Sequence, residues 1–526
     1  MSDLKQLRLT CKQLQPLVNE QLFRTVAIHI TVNSIKKSVD MLQFLATRTT
    51  VLQDARELVL CSLSPAHDPQ YYGPSYVRVG DEWVLEQEPA IPAEAQSATK
   101  QVAGCLRDAL RSFRCLTTIR WFPVQRDSKE VQTAVIEALA SLPTLKNLHL
   151  DITNWKAPLP VDNLKDLEEI SISGACSNDE TMDNIGRMIA RSPELRSLKV
   201  PHYRNYGPSL GKARSLYQLL EYCDPVVSLR LRHLSLHCAL VRLDHITLPH
   251  LRNLTSLELI GVYDPFNAET CFGYRRSQDS TEAMLEAQKV GSSTEDIWKA
   301  FATAGARLEE LKHDSAPRSL LKYLSSYSGL KSLDITPTHF DSASLSDAAA
   351  TEFFSTSLKS HAQTLETLKI SPPFEGKWCF NSFNSTLLSR CTKLKHLHIS
   401  ITSSKLATYS EDAGACDVDD SKQSTLHDLV NLAAESMLRL ETLTVDPANL
   451  ESLREELCGN PAMSHFARAT RKMAENMYHF RAQPPIKRLP TLFVGKKKVF
   501  TEDKNSDGEG LRYYDQNPTI DEYEDW

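Results

Sequence analysis

The sequence predicts an α/β solenoid in which helix–strand repeats stack so that their strands form one parallel sheet. Three observations support this prediction: a hexapeptide pattern L-x-x-L-x-L recurs, a helical stretch precedes most copies, and a short polar or proline-containing turn joins the two. A single unit cannot bury both its strand and its helix, whereas stacked units can. Repetition of this kind is typical of leucine-rich repeats.

The hexapeptide occurs often, but its spacing is irregular. A weaker copy starts at Ala55, and successive starts of the others lie between 22 and 54 residues apart. Regular leucine-rich repeats have a period of about 20–29 residues, so loops must be inserted between some copies. The other copies start at Leu116, Leu145, Leu167, Leu195, Leu231, Leu254, Leu308, Leu330, Leu365, Leu394 and Leu440.

The helical stretches have one apolar face. Residues 130–140 place Val131, Val135 and Leu139 on the same side of a helix, and residues 179–191 repeat that pattern. The predicted fold is therefore an irregular leucine-rich-repeat solenoid with a parallel concave sheet and outer helices.

The pattern divides the chain into four parts. Residues 1–25 form a short helical segment, 26–446 form the solenoid, 447–480 form a helical C-terminal cap, and 481–526 form a basic and then acidic flexible tail. The tail from residue 502 onward carries nine acidic and two basic residues, which accounts for the net charge of -6. The loops inserted in the solenoid are expected at 62–100, 263–293 and 403–424.

Composition excludes several classes of protein. The mean hydropathy is -0.33, and no stretch approaches 18 apolar residues, so no transmembrane helix and no membrane partner are expected. The N-terminus lacks an apolar run of the signal-peptide kind. The 12 cysteines are scattered without a C-x-x-C pair, which indicates free thiols and a cytoplasmic or nuclear location.

Function is expected on the residues between the leucines, because side chains alternate between the two faces of a strand. Eleven strands at about 4.8 Å spacing make a sheet roughly 50 Å long, a size that suits a protein or peptide. Both charge signs occur in the rows, so nucleic acid is not an expected partner. The protein is expected to be monomeric by itself. The predicted concave substrate surface comprises Arg120, His149, Lys199, His233, Glu258, Lys312, Asp334, Lys369, His396 and His398.

The sequence matches known ligand-binding and metal-binding motifs only in part. Gly207 to Lys212 has three residues between its glycines instead of the four of a phosphate-binding loop, and Asp503 to Gly508 lacks the glutamate that ends a calcium-binding loop. His396 and His398 share a strand face, but zinc takes three or four ligands. No catalytic residue, metal or cofactor is therefore predicted.

The N-terminus has a second pattern, Leu7-Arg-Leu-Thr-Cys-Lys12, followed by Leu14, Leu17 and Leu22-Phe-Arg-Thr-Val26. It resembles the second half of the F-box, especially in filamentous-fungal F-box proteins that continue into irregular leucine-rich repeats. The resemblance implies that this segment binds the Skp-type adaptor of a cullin–RING ubiquitin ligase, while the repeats bind the substrate. The adaptor-binding residues that it implies are Leu4, Leu7, Leu9, Cys11, Lys12, Leu14, Leu17, Leu22 and Phe23.

Two functions stay open at this point. The first is a non-catalytic substrate-recognition subunit of a Skp–cullin–F-box ligase, whose partners supply the chemistry. The second is a leucine-rich-repeat scaffold for protein interactions with no ubiquitin role. Family F-boxes open with a leucine–proline pair that the sequence from Met1 lacks. The expectation is either an in-frame leucine–proline–acid helix ahead of Met1 or an adaptor contact that has been lost or weakened.

Overall fold

The computed structural model of the protein covers most of the chain. It describes residue 18 and residues 21–517, apart from 32–33, 48–52, 65–75, 80–81, 86–92, 125–126, 154, 156, 175–177, 202–213, 268–280, 339, 408–423, 455–459, 483–484, 496–497 and 504–509. The chain divides into two compact units. The first unit comprises residues 1–253 and 262–293, and the second comprises 254–261 and 294–526.

The first unit is built on a parallel sheet. Its described strands are β1 (Thr25–Ile28), β2 (Glu57–Leu60), β3 (Tyr76–Val79), β4 (Glu82–Leu85), β5 (Thr118–Trp121), β6 (Asn147–Asp151), β7 (Glu169–Ser173), β8 (Ser197–Val200), β9 (Arg214–Ser215), β10 (His233–His237) and β11 (Ala239–Leu240). Strands β1, β2, β5, β6, β7, β8 and β10 pair in that order, each parallel to the next. Strands β3 and β4 form an antiparallel hairpin, and β9 pairs with β11.

The described part of the first unit also contains seven α-helices. They are α1 (Ile35–Thr47), α2 (Ala93–Arg111), α3 (Lys129–Ala140), α4 (Asp179–Ala190), α5 (Leu216–Leu220), α6 (Leu248–Leu251) and α7 (Thr281–Val290). Helix α3 begins where the Ser128 hydroxyl accepts a hydrogen bond from the Val131 amide. Its apolar face, with Val131, Val135 and Leu139, is buried as the sequence pattern predicts.

The second unit repeats this plan with a different end. Its strands are β12 (Ser256–Ile260), β13 (Glu310–Ser315), β14 (Ser332–Thr338), β15 (Thr367–Ile370), β16 (His396–Ile401), β17 (Thr442–Pro447), β18 (Thr491–Val494), β19 (Lys498–Glu502) and β20 (Tyr513–Asp515). Strands β12 to β18 are parallel and pair in chain order. Strands β19 and β20 then add to β18 in antiparallel fashion.

Helices of the second unit again lie between strands in the chain. They are α8 (Thr294–Thr303), α9 (Arg318–Ser325), α10 (Ala343–Glu352), α11 (Leu358–His361), α12 (Ser382–Leu388), α13 (Thr425–Ser436) and α14 (Asn460–Tyr478). A π-helical turn, Phe353–Ser357, joins α10 to α11, and its two phenylalanines are fully buried. Within each unit, the predicted irregular leucine-rich-repeat architecture is confirmed.

The leucines of the hexapeptide form the core. Leu145, Leu148 and Leu150 are at most 4% exposed, and the other copies follow the same pattern. Full burial of such a side chain contributes about 1.5–3 kcal/mol. His313 is the polar exception at a core position. Its ring lies 5.3 Å from that of Trp298, and its Nδ1 accepts a hydrogen bond from the Ser315 amide at 2.9 Å, so its burial is compensated.

Two predicted loops contain regular structure. The segment 62–100 holds the β3–β4 hairpin and the first turns of α2, and the segment 263–293 holds α7. The third predicted loop, 403–424, begins with a 3-10 turn, Ser403–Lys405, and its residues 408–423 lie outside the described part of the chain.

The C-terminal segment differs from the flexible tail expected over residues 481–526, because three strands form within it. Leu489 to Val494 reads L-x-x-L-x-V, a further copy of the hexapeptide, and its Leu489, Leu492 and Val494 are buried. Phe500 on β19 and Tyr513 on β20 are buried as well. Apolar burial therefore orders a segment whose overall charge pointed to a solvated tail.

Candidate protein-binding surface

The side chains at the third and fifth positions of the hexapeptide define the strand face of each unit. Parallel pairing in register sets equal motif positions side by side, so each position forms a row. In the second unit the fifth-position row runs Glu258, Lys312, Asp334, Lys369, His398, Thr444 and Phe493. In the first unit it runs Arg120, His149, Ser171, Lys199 and Ser235.

All ten residues predicted for the substrate surface lie on these two strand faces. Eight of them, including Glu258, occupy the fifth-position rows, and His233 and His396 occupy third positions. None of the ten is buried. The structure therefore places the predicted residues side by side on the strand face of each unit. That these residues bind a substrate stays a prediction.

Ion pairs cross between strands on the face of the first unit. The Arg120 Nε lies 2.6 Å from the Glu57 Oε1, and the Lys199 Nζ lies 2.7 Å from the Glu169 Oε1. His149 is half-buried among these four residues. Burial lowers the pKa of His149, and Arg120 and Lys199 lower it further, against the opposing effect of Glu169 and Glu57. His149 is therefore neutral at physiological pH and offers a ring nitrogen acceptor.

Similar ion pairs join neighbouring strands on the strand face of the second unit. The Lys312 Nζ lies 2.6 Å from the Glu258 Oε1, and the Lys369 Nζ lies 3.2 Å from an Asp334 oxygen. The ring of His398 reaches the carboxylate of Asp446, which follows the hexapeptide of β17, at 2.7 Å.

The third-position row of the second unit is mostly hydroxylic. It runs Ser256, Glu310, Ser332, Thr367, His396, Thr442 and Thr491. The ring Nδ1 of His396 lies 2.8 Å from the hydroxyl of Thr442.

A further charged row was missed by the sequence reasoning. The second position of the hexapeptide alternates in sign along the second unit, through Glu309, Lys331, Glu366, Lys395 and Glu441. The Lys331–Glu309 and Lys395–Glu366 pairs are 2.8 and 2.6 Å apart. The hydrogen bond with Glu309 raises the pKa of Lys331, and that with Lys395 lowers the pKa of Glu366. The alternating signs at equal motif positions were the signal available in the sequence.

Charge compensation limits what these faces can do chemically. The strand-face lysines and Arg120 each contact a carboxylate, so the described faces present no sustained basic stripe of the kind that nucleic acid requires. Among the described residues, no group of three or more histidine, cysteine or acidic side chains is placed to hold a metal ion. Within the same residues, no helix has the length and apolar character needed to cross a bilayer.

The F-box-like residues are mostly outside the described part of the chain. Leu22 and Phe23 lie in a helical turn directly before β1 and are half-buried. The implied contacts of this segment with an adaptor therefore stay a prediction. The others, Leu4, Leu7, Leu9, Cys11, Lys12, Leu14 and Leu17, lie outside the described residues.

Two solved structures to which this chain is similar are distant from it in sequence. No family model and no curated protein matches the sequence. A chain from the yeast Rad7–Elc1 complex aligns at 14% identity and a TM-score of 0.32, over 88% of this chain and 94% of that one. A Bacteroides fragilis protein aligns at 13% identity and a TM-score of 0.24, over 51% of this chain and 73% of that one. Both TM-scores are low, and the fold class rests on the strand order and register above.

Proposed function

We propose that this chain is a non-catalytic receptor that binds a protein substrate on its strand faces and serves as the substrate-recognition subunit of a Skp–cullin–F-box ubiquitin ligase. The observation that carries the receptor part is the register of the rows. Parallel pairing aligns mostly polar, solvent-accessible side chains strand after strand, on a surface too open to enclose a small molecule. Such a surface positions a partner, and the ligase partners would supply the chemistry.

The ubiquitin-ligase part is supported by the resemblance of residues 7–26 to the second half of the F-box. In this proposal the segment binds a Skp-type adaptor through some of Leu4, Leu7, Leu9, Cys11, Lys12, Leu14, Leu17, Leu22 and Phe23. A cullin joins through the adaptor, and no cofactor is needed. The compensated charges on the strand faces favour recognition by shape and hydrogen bonds.

The test compares affinity purifications of the full chain and two variants. Lys312→Ser with Lys369→Ser removes two strand-face cations. Lys322→Ser with Lys359→Ser makes the same change on exposed lysines of α9 and α11. We expect a set of proteins to be lost with the strand-face variant and retained with the helix variant. Identical partner sets for both variants would contradict binding on the strand face.

The adaptor is scored in the same purifications. A Skp-type adaptor should accompany the wild type and both lysine variants, and should be lost with Leu7→Asp plus Leu14→Asp. If partners depend on the strand face but no adaptor is present, the chain is a leucine-rich-repeat scaffold without a ubiquitin role. The two parts of the proposal therefore fail separately.

A further inference from the structure

An open apolar groove of about 340 Å³ lies in the second unit, at the amino ends of the last two parallel strands, β17 and β18. One wall is the end of α13 and the turn that follows it, with Ala433, Met437 and Leu438. The other wall is the turn before β18, with Pro485, Ile486 and Pro490. The lining of the groove contains none of the third- and fifth-position residues, so the proposed receptor function does not use it.

Leu438 is the unusual residue of this groove, because it is 75% exposed. It stands two residues before the first leucine of its hexapeptide. At that motif position the other described repeats have polar residues, proline, or small or buried apolar ones. They are Gln53, Arg114, Pro143, Lys165, Pro193, Leu229, Arg252, Ala306, Ser328, Gln363, Thr392 and Lys487. Val226 and Val227 in the turn before Leu231 are exposed as well, but Leu438 differs from them because it lines an apolar groove. Concave apolar surfaces of this kind are where ligands bind.

Two cations at the mouth of the groove distinguish it from the strand faces. Lys487 and Arg488 line the groove and are exposed. Neither makes an ion pair or side-chain hydrogen bond with another residue of the described chain. By contrast, Lys312, Lys369 and the other strand-face lysines each contact a carboxylate. Glu435 is an acidic lining residue on the opposite wall.

We propose that this groove binds a short acidic peptide segment of a partner protein, with one bulky apolar side chain packed against Met437 and Leu438. The carboxylates beside that side chain pair with Lys487 and Arg488. Arginine and lysine donors form charge-assisted hydrogen bonds with carboxylates, and an apolar anchor in a pocket supplies most of the energy of such contacts. A basic peptide would meet two cations of its own sign.

The experiment measures fluorescence anisotropy of labelled synthetic nonapeptides with the full chain. Each acidic probe carries one leucine, phenylalanine or tryptophan flanked by two acidic residues on each side, and each basic counterpart has lysine at those four positions. We expect the acidic probes to bind at least tenfold more tightly than their basic counterparts. Equal binding of the two sets, or no binding of either, would overturn the proposal.

Matched variants locate the binding. Lys487→Glu with Arg488→Glu should weaken the acidic probes at least tenfold, whereas Lys322→Glu with Lys359→Glu, the same change of charge elsewhere in the second unit, should leave binding intact. Leu438→Asp should abolish binding, whereas Leu345→Asp, at a leucine that is 53% exposed on α10, should not. Equal losses within either pair would place the probe elsewhere and overturn the proposal.

The chain itself contains a segment of the same chemistry, since residues 518–526 hold four carboxylates beside Ile520, Tyr523 and Trp526. A full-length variant with Asp521, Glu522, Glu524 and Asp525 changed to their amides tests this occupant. We expect the variant and the wild type to bind the acidic probes equally. Binding that appears only in the variant would assign the groove to the chain's own segment and overturn the assignment to a partner.

Discussion

Two buried histidines stabilise turns between helices and strands. His250, in the last residues of α6, accepts a hydrogen bond from the Leu229 amide through Nδ1 at 3.2 Å. His361, at the end of α11, accepts from the Leu330 amide through Nδ1 at 3.3 Å and donates from Nε2 to the Leu324 carbonyl at 2.8 Å. Each ring is therefore neutral and satisfies a backbone donor that burial would otherwise leave without a partner.

Protonation of His361 should destabilise the fold. Burial lowers the pKa of His361 to about 4, although the hydrogen bond to Leu324 opposes this. The pKa of His361 in the folded state lies below the unfolded value of about 6.5. The neutral ring therefore contributes fully to the stability of the fold above pH 6.5, and this contribution is lost as the pH falls from 6.5 through 4. The expected loss is about 3 kcal/mol, at 1.36 kcal/mol per pKa unit. Urea unfolding at pH 7.5 and pH 4.5 measures it.

The control for this prediction is His361→Gln. A glutamine can donate and accept at the same site but does not titrate, so this variant should lose less stability between the two pH values than the wild type. His245→Gln, at an exposed histidine, should leave the wild-type pH dependence unchanged. Equal pH dependence of His361→Gln and the wild type would show that His361 does not titrate as described.

At the scale of elements, the last strands explain how the second unit ends. A parallel strand at the edge of a sheet exposes backbone donors and acceptors that invite pairing with other chains. Strand β19 covers β18 in antiparallel fashion, and β20 covers β19. Phe500 of β19 is fully buried, with its ring 5.8 Å from that of Tyr478 on α14. The antiparallel pair and α14 together close the apolar interior at this end.

Phe500→Ala should loosen this end selectively. Removal of a buried phenylalanine costs about 3–5 kcal/mol, and the loss should concentrate in the strands that Phe500 holds. Hydrogen exchange followed by mass spectrometry should show faster exchange in β17, β18 and β19, with unchanged exchange in β13 and β14. Tyr514→Ala, at a 56% exposed residue of β20, is the matched control and should change little. Equal effects of both variants would argue against the closure.

The sequence predicts which segments form leucine-bearing strands better than it predicts the side-chain pairs between strands or the last strands of the sheet. Burial of Leu145, Leu148 and Leu150 follows from their spacing, because hydrophobic burial depends on local alternation. The pairing of Arg120 with Glu57 does not follow, since it requires the register between strands 63 residues apart in the chain. Strand β18 was missed although Leu489 to Val494 carries the hexapeptide, because the basic and then acidic residues around it indicated a solvated segment. The groove at Leu438 depends on two turns that only the fold brings together.

At the scale of the whole molecule, both units use one principle of construction: each strand contacts the strands of its neighbouring repeats. The stability of such stacks is approximately a sum of repeat terms and nearest-neighbour terms. Surface charge follows the same rule, because most strand-face ion pairs join adjacent strands, as Lys312–Glu258 and Lys369–Asp334 do. The faces are therefore free to vary in sequence while the leucines preserve the stack.

Nearest-neighbour stability predicts a graded response to one core substitution. Leu333 of β14 is 1% exposed, so Leu333→Ala should cost about 2–5 kcal/mol by opening a cavity. Asp334→Ala, at the next residue, removes only a partly exposed pair with Lys369 and should cost at most about 1 kcal/mol. Hydrogen exchange should rise most in β13, β14 and β15 for Leu333→Ala and should fade with each further strand. A uniform rise of exchange across the second unit would show that the unit unfolds as one cooperative block. Equal losses of stability in Leu333→Ala and Asp334→Ala would contradict the inward orientation of Leu333.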